Sequence, residues 1–235
     1  MSSKRVEEDL VTANQILVNE GFVAAYGHVS VRDPNDPERM IISGYQSPAL
    51  VTEDDLIRMT LDGEIVTDGV EEIYSENVIH RAIYRHRPDV EAVVHGHPDA
   101  VIPFTVTDVE IKPVTHQGTP FHEGVPTFEE YDDHRGRMIV TEDEGNRMAE
   151  VLGGRRAQLL KQHGANVVGA SVREAVLLST FLISTARHQQ AALALGEPNY
   201  FTEPEDAIRS TVEDTLLKPR TVDRAWDFFV DRLSP

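Results

Sequence analysis

Three histidines in this sequence have the residue type and the spacing that a metal centre requires. His95 and His97 stand two positions apart at the end of the apolar segment VEAVV, and His163 follows a second apolar segment. Side chains two apart on a strand project from the same face, so His95 and His97 can share one ion. A catalytic metal ion needs three protein ligands and an open position for water or substrate. The pattern therefore indicates metal chemistry, although His-Gly-His alone is also compatible with structural histidines.

Glu76, in the segment YSENVIHRAIY, is the candidate for moving protons beside such an ion. Ser75 is placed to cap a helix that runs to about Arg87, where Pro88 disfavours continuation, so Glu76 would lie in the first turn. An acid in a first turn commonly complements the helix dipole, which is the structural alternative for Glu76. His80 shares the face of Glu76 four residues on, but we expect it to be a half-buried packing residue.

The elements that must position these side chains follow from periodicity and turn signals. We predict helices at 4–20, 52–55, 75–87, 99–104, 145–153, 171–195, 203–217 and 221–232, and strands at 27–33, 40–43, 90–94, 110–115, 157–161 and 165–169. Hairpins are expected at 35–38 and at Asp62-Gly63, and a long loop at 116–137. Frequent hairpins favour an α/β layered fold with a largely antiparallel sheet. We expect a single domain over 1–235, with a helical C-terminal tail at about 196–235.

Composition limits the partners and the location of the protein. The net charge of −18 argues against nucleic acid or an anionic membrane as partner, because both are polyanions. The first ten residues lack the apolar stretch of a signal peptide, and the apolar run at 175–186 is too short to span a bilayer. We therefore expect a cytoplasmic protein with no nucleic-acid and no membrane partner.

Several other chemistries have no signature in the chain. With no cysteine, thiolate catalysis and cysteine metal sites are excluded, so any metal must use His, Asp or Glu. The sequence also lacks a Gly-rich dinucleotide fingerprint, a phosphate-binding Gly-Lys loop, a Gly-x-Ser-x-Gly elbow and a His-Glu-x-x-His helix.

The motifs taken in order resemble those of the class II aldolase/adducin family. GHVSVRD, Glu76, IYRHRPDVEAVVHGH and His163-Gly occur in the family order over about residues 5–195. The resemblance implies a three-layer α/β/α domain, commonly in a cyclic homotetramer with active sites at subunit interfaces. It also implies that His95, His97 and His163 are the metal ligands and that Glu76 is the catalytic acid/base. One divalent ion per subunit is expected, zinc or manganese, and it would stabilise the enediolate formed when a carbon–carbon bond breaks.

Two departures from the sugar-phosphate aldolases of this family bear on the substrate. Those aldolases hold phosphate with a Gly-Asn and a pair of serines, where this chain has Gly27-His28 and Tyr74-Ser75. Their proton-donating tyrosine is replaced by Gln117, with His116 alongside. The chain is more similar to a branch containing decarboxylases of hydroxylated aromatic acids.

We accordingly predict a metal-dependent lyase in which decarboxylation of a small hydroxylated carboxylate is preferred to aldol cleavage of a sugar or sugar phosphate. His28 or His116 would hold the carboxylate or supply a proton. Ser43, Gly44 and Ser75 are the other candidate substrate-binding residues. A non-catalytic adducin-like interaction module is the rival from another class, and an epimerase or dehydratase is a second enzymatic rival.

Overall fold

A mixed β-sheet forms the centre of the fold. The computed structural model describes residues 3–132 and 136–233. Within these ranges the strands are β1 (His28–Arg32), β2 (Arg39–Ser43), β3 (Leu56–Thr60), β4 (Ala92–Gly96), β5 (Thr127–Phe128), β6 (Ala157–Leu160) and β7 (Gly164–Gly169). They form one seven-stranded sheet in the order β3-β2-β1-β4-β7-β6-β5.

The sheet is antiparallel except at one edge, which confirms the prediction from the hairpin signals. Only the β5–β6 pair among the described strands is parallel. The predicted hairpin joins β1 to β2, and the Asp62-Gly63 turn lies beyond β3, where Gly63 has a φ of 99°. Glycine adopts this left-handed conformation without the strain that a side chain would add.

Helices cover both faces of the sheet. They are α1 (Ser3–Asn19), α2 (Asn77–His86), α3 (Ile102–Thr105), α4 (Glu142–Leu152), α5 (Val172–Leu195), α6 (Glu205–Ser210) and α7 (Pro219–Asp231). Strand β4 shows how the layers are built, because Val94 packs into the core that contains α1, α5 and α7, whereas Val93 packs against α2 and α4. Successive strand residues face opposite sides, so the fold is a three-layer α/β/α arrangement, as predicted.

Some predicted elements differ from the observed ones. Helix α4 begins at Glu142, earlier than expected, because Thr141 and Glu144 form a reciprocal capping box. The segment 110–115 forms no strand, so that prediction was wrong, and the expected loop at 116–137 includes a 3₁₀ turn at His116–Phe121 and the short strand β5. The predicted helix at 203–217 becomes α6 followed by a wider helical turn at Thr211–Leu216.

The C-terminal tail packs on the core of the sheet. Trp226 and Phe229 of α7 belong to the same apolar cluster as α1 and α5. No helix in the described ranges is long and apolar enough to cross a membrane.

Candidate metal centre and active-site cavity

The pairing of β4 with β7 brings the histidine motifs together. In this antiparallel pair His95 lies opposite Asn166, and Gly96 lies opposite Ala165. His163 occupies the tight turn that joins β6 to β7, where Gln162 has a φ of 56° and the His163 N–H donates to the Leu160 carbonyl. The turn therefore ends beside His97, one residue beyond β4.

The three imidazoles form a compact triangle. Each pair of rings among His95, His97 and His163 has its centroids 5.0 Å apart. One nitrogen from each ring can be chosen so that all three lie within 4.8 Å of one another. Three nitrogens converging in this way can bind one divalent ion and leave a coordination position open.

Two glycines make this convergence possible. A Cβ atom on Gly96 would collide with the Phe22 carbonyl oxygen, and one on Gly164 would collide with the Gly96 carbonyl oxygen. A Cβ on Gly164 would also lie 2.8 Å from the His97 ring. The glycines in His-Gly-His and His-Gly are therefore needed for the close approach of the two segments.

Asn166 determines which nitrogen of His95 faces the site. The His95 Nδ1 atom lies 2.8 Å from the Asn166 Oδ1 atom, while the Asn166 amide group contacts the sulfur of Met148 and the oxygen of Gln158. The amide oxygen accepts the Nδ1 proton, so Nε2 carries the lone pair. This Nε2 atom is buried and has no hydrogen-bond partner among the described residues, which fits a ligand atom directed at a metal ion.

The protonation of the site also suits a cation. Burial lowers the pKa of His95 to about 3, and burial together with the neighbouring His95 lowers the pKa of His163 to about 4. The pKa of His97 is lowered by burial as well. Neutral imidazole is the form that binds metal, so these rings are in the binding form near neutral pH.

Glu76 occupies the N-cap position of α2, directly before the first helical residue. The prediction that Ser75 caps this helix was therefore wrong. The Glu76 Oε1 atom lies 3.6 Å from the His163 Nε2 atom and accepts a hydrogen bond of 3.2 Å from the Ile139 N–H. Burial raises the pKa of Glu76, and the neighbouring His163 partly offsets this effect. A half-buried carboxylate with a raised pKa beside a candidate metal site can exchange protons with a bound substrate.

A cavity of about 360 Å³ opens beside the metal centre. Its lining includes four of the sequence-predicted residues, namely His28, Ser75, Glu76 and His97. The described lining does not include the predicted residues His95, His163, Ser43, Gly44 and His116. Ser43 is buried at the end of β2, and the Gly44 N–H donates to the Asp55 carbonyl and so is not free for an anion. His116 is exposed at the start of a 3₁₀ turn.

Aromatic rings form much of the cavity wall, and the sequence reasoning did not assign them to the site. Tyr74 stacks on His28 with ring centroids 4.4 Å apart, and His28 in turn lies 4.9 Å from the His95 ring. Tyr26 and Tyr45 line the same cavity and are largely exposed. Tyr74 directly precedes Ser75 and Glu76 in the sequence, and this position could have indicated that its ring lines the same cavity.

Comparison with known proteins identifies the family. Residues 8–190 match the family described as the class II aldolase and adducin N-terminal domain. This chain belongs to that family. The resemblance read from the sequence is thereby confirmed.

Curated members of the family that resemble this chain include decarboxylases. Decarboxylase tropJ from Talaromyces stipitatus is 31% identical, over 94% of this chain and 91% of its own length. The 3,4-dihydroxyphthalate decarboxylase from Arthrobacter keyseri is 31% identical, over 72% of this chain and 71% of its own length. Because these relatives are decarboxylases, which are lyases, we conclude that this member of the family is a lyase.

Solved structures agree with the fold. An L-fuculose 1-phosphate aldolase from Glaciozyma antarctica superposes with a TM-score of 0.81, covering 98% of this chain and 89% of that one, at 24% identity. At this level of identity the likeness establishes the class II aldolase fold of the chain and leaves its substrate open.

Proposed function

We propose that this protein is a divalent-metal-dependent carbon–carbon lyase that decarboxylates a small hydroxylated aromatic acid. The observation that carries the proposal is the triangle of His95, His97 and His163 beside Glu76, next to a cavity with aromatic walls that His97 and Glu76 line. The three histidines would hold the ion through neutral imidazole nitrogens. When bound, a divalent cation supplies electrostatic stabilisation of the negative charge that develops on substrate oxygens as carbon dioxide leaves.

The remaining steps belong to side chains of the cavity. Glu76 is close enough to the metal ligands to take a proton from a substrate hydroxyl and to return a proton to the carbanion. The stacked pair Tyr74 and His28 offers a flat wall against which an aromatic ring can lie. Ser75, exposed at the cavity, is placed to donate a hydrogen bond to a polar group of the substrate.

Aldol cleavage of a sugar phosphate is the second candidate, because the chain belongs to the class II aldolase and adducin family. The cavity chemistry argues against it. No lysine or arginine occurs among the described lining residues, although a phosphate is normally held by such side chains or by free backbone N–H groups. The N–H of Gly44, one of the candidate substrate-binding residues, already donates to the Asp55 carbonyl.

A non-catalytic adducin-like module is less consistent with the site. An interaction module does not require three converging imidazoles, a buried unpartnered nitrogen on His95 and a carboxylate with a raised pKa. Such groups are costly to bury unless they serve a ligand or a reaction.

The metal and the assembly complete the proposal. An all-histidine set suits zinc, and manganese is compatible when substrate oxygens add to the coordination. We propose a homotetramer, as the family resemblance implies. His116 lies outside the cavity of its own chain, so a role for it in binding or protonation would require the assembled oligomer.

One assay distinguishes the two chemistries. Purified protein loaded with zinc or with manganese is given 3,4-dihydroxyphthalate, the substrate named for a relative, and a panel of ortho-hydroxy aromatic acids, and carbon dioxide release is measured. In parallel, aldehyde release from L-fuculose 1-phosphate is measured. We expect metal-dependent carbon dioxide release from at least one aromatic acid. Cleavage of the sugar phosphate alone would replace our proposal by the aldolase function.

A further inference from the structure

A chain of hydrogen bonds runs beneath the cavity and ends at His28. The Tyr84 hydroxyl lies 2.8 Å from the Ser30 Oγ atom, and the same Oγ lies 2.7 Å from the His80 Nδ1 atom. The His80 Nε2 atom lies 2.5 Å from the His28 Nδ1 atom. Two hydroxyl groups and two imidazoles are thus joined in one line, and only His28 reaches the cavity.

The secondary structure places these four groups together. His28 and Ser30 are two apart on β1 and therefore face the same side of the sheet, towards α2. His80 and Tyr84 are four apart on α2 and therefore share one helix face. All four residues are buried, and His80 and Ser30 have no exposed surface. The sequence predicted a half-buried packing residue at His80. That prediction was wrong, because the ring is fully buried and hydrogen-bonded at both nitrogens.

The direction of the chain follows from counting protons. A buried phenol must donate its single proton. The Tyr84 hydroxyl has the Ser30 Oγ atom and the Val93 backbone N–H as neighbours, and of these two only Ser30 can accept that proton. Ser30 has then accepted one bond and donates its own proton to the His80 Nδ1 atom. A neutral His80 carries its proton on Nε2 and donates it to the His28 Nδ1 atom. A neutral His28 must therefore carry its proton on Nε2.

The surroundings of His80 favour its neutral form, because the ring is fully buried and its hydrogen-bond partners are the Ser30 hydroxyl and the His28 ring. Burial is the main cause that lowers the pKa of His80 and of His28, and the other causes are neighbouring histidines. Within the described residues neither ring hydrogen-bonds to a carboxylate, although a Glu76 oxygen lies within 4.8 Å of a His28 nitrogen. The phenol also keeps its proton, because burial raises the pKa of Tyr84.

We infer that Tyr84, Ser30 and His80 are positioning residues that lock His28 in the Nε2–H tautomer, so that His28 presents a neutral hydrogen-bond donor to the cavity. A nitrogen that carries a proton cannot bind a metal ion or accept a proton. His28 is therefore neither a fourth ligand nor a base, although one of its nitrogens lies within 4.8 Å of groups on Glu76 and His95. Under the proposed function, the acceptor for this N–H is a carboxylate oxygen of the substrate.

The tautomer can be measured without any substrate. Zinc-loaded protein labelled with ¹⁵N-histidine is examined by magic-angle-spinning NMR, in which protonated and bare ring nitrogens resonate far apart, and the His28 signals are assigned by their loss in His28→Gln. We expect the proton of His28 on Nε2 and that of His80 on Nε2. A His28 ring that is protonated on Nδ1, or bound to zinc, would overturn the inference.

Variants test whether the chain itself sets the tautomer. In Ser30→Ala, His80 loses the donor at Nδ1, so we expect His28 to become a mixture of tautomers. The matched control is Ser179→Ala, which removes an equally buried hydroxyl that bonds only within α5, and it should leave the His28 signals unchanged. His80→Gln keeps an amide donor for His28 and should preserve the tautomer, whereas His80→Leu should not. An unchanged His28 in both Ser30→Ala and His80→Leu would contradict the positioning role.

The carboxylate assignment rests on the proposed function and has its own test. Binding of 3,4-dihydroxyphthalate is compared with binding of catechol, which keeps the paired hydroxyls and lacks the carboxylates. In His28→Phe we expect affinity for the acid to fall about 10- to 100-fold, as for loss of a hydrogen bond to a charged group, with little change for catechol. An equal loss for both ligands would refute the carboxylate contact. If the wild-type protein bound neither compound, the carboxylate contact would fail, whereas the tautomer result would stand and the proposed function would be decided separately by the panel of aromatic acids.

Discussion

His95 and Asn166 face each other across β4 and β7, and the imidazole Nδ1 lies 2.8 Å from the amide Oδ1. This contact orients the ring and leaves the buried Nε2 atom for a metal ion. Replacing Asn166 by Ala should weaken metal binding by roughly 10- to 100-fold, the usual effect of losing a partner that orients a ligand. Chelator competition would measure the change. Asn14→Ala, which alters an equally buried asparagine on α1, should leave metal affinity as in the wild type.

The three proposed ligands should be individually required. Replacing His95, His97 or His163 by Ala removes one of three nitrogens, so bound metal and activity should be lost while circular dichroism shows a persisting fold. Elemental analysis of purified protein measures the metal. His86→Ala is the control, because His86 is exposed and its ring contacts only a carbonyl of its own helix. Full turnover by a metal-free protein would argue decisively against the metal centre.

Glu76→Gln should separate metal binding from proton transfer. The amide retains the size of the side chain but cannot exchange a proton, so the turnover rate should fall by about 10²–10⁴ while metal content stays constant. Glu174→Gln is a suitable control, since burial also raises the pKa of Glu174 but this residue lies at the start of α5. An unchanged rate would remove Glu76 from the mechanism.

Gly164→Ala tests the close approach of the histidine segments. The added methyl group would collide with the Gly96 carbonyl oxygen and press on the His97 ring, so metal affinity should fall, and the melting temperature with it. Gly154→Ala provides the comparison, because nothing lies within 4 Å of its Cβ position. If both variants bound metal equally well, the proposed packing of the two segments would be incorrect.

The stability of the metal-free protein should depend on pH. Burial lowers the pKa of His95 to about 3 and that of His163 to about 4, against 6.5 for an ordinary histidine. Between about pH 6.5 and about pH 4 the unfolded chain therefore binds more protons than the folded chain, and the free energy of unfolding should decrease as the pH falls. Glu76 and Glu174, whose pKa values are raised by burial, act in the opposite sense. They are outnumbered by the histidines whose pKa is lowered, which are His28, His80, His95, His97 and His163.

Urea denaturation at several pH values would measure this dependence. His163→Gln should reduce the slope, because one group with a lowered pKa is removed. A free energy of unfolding that rose on acidification over this range would contradict the buried neutral imidazoles.

Much of the site was predictable because it rests on local rules. The two-residue period of a strand places His95 and His97 on one side, and the apolar segments on either side of His163 predict a hairpin with this residue at its turn. The order of the motifs was enough to identify the family. The predicted start of a helix at Ser75 placed Glu76 in the first turn, although in the structure Glu76 itself is the N-cap.

Register and sheet order were decided only by the tertiary structure. Nothing local pairs β1 with β4 or β4 with β7, yet these pairings put His28 beside His95 and Asn166 opposite it. The same long-range packing leaves His116 outside the cavity and buries His80 against Ser30. The amino-acid sequence by itself determined which side chains could bind a metal ion and move protons, because residue type and local period are short-range properties. Which of these groups meet, and which nitrogen of each imidazole carries the proton, depends on contacts between strands and helices far apart in the chain.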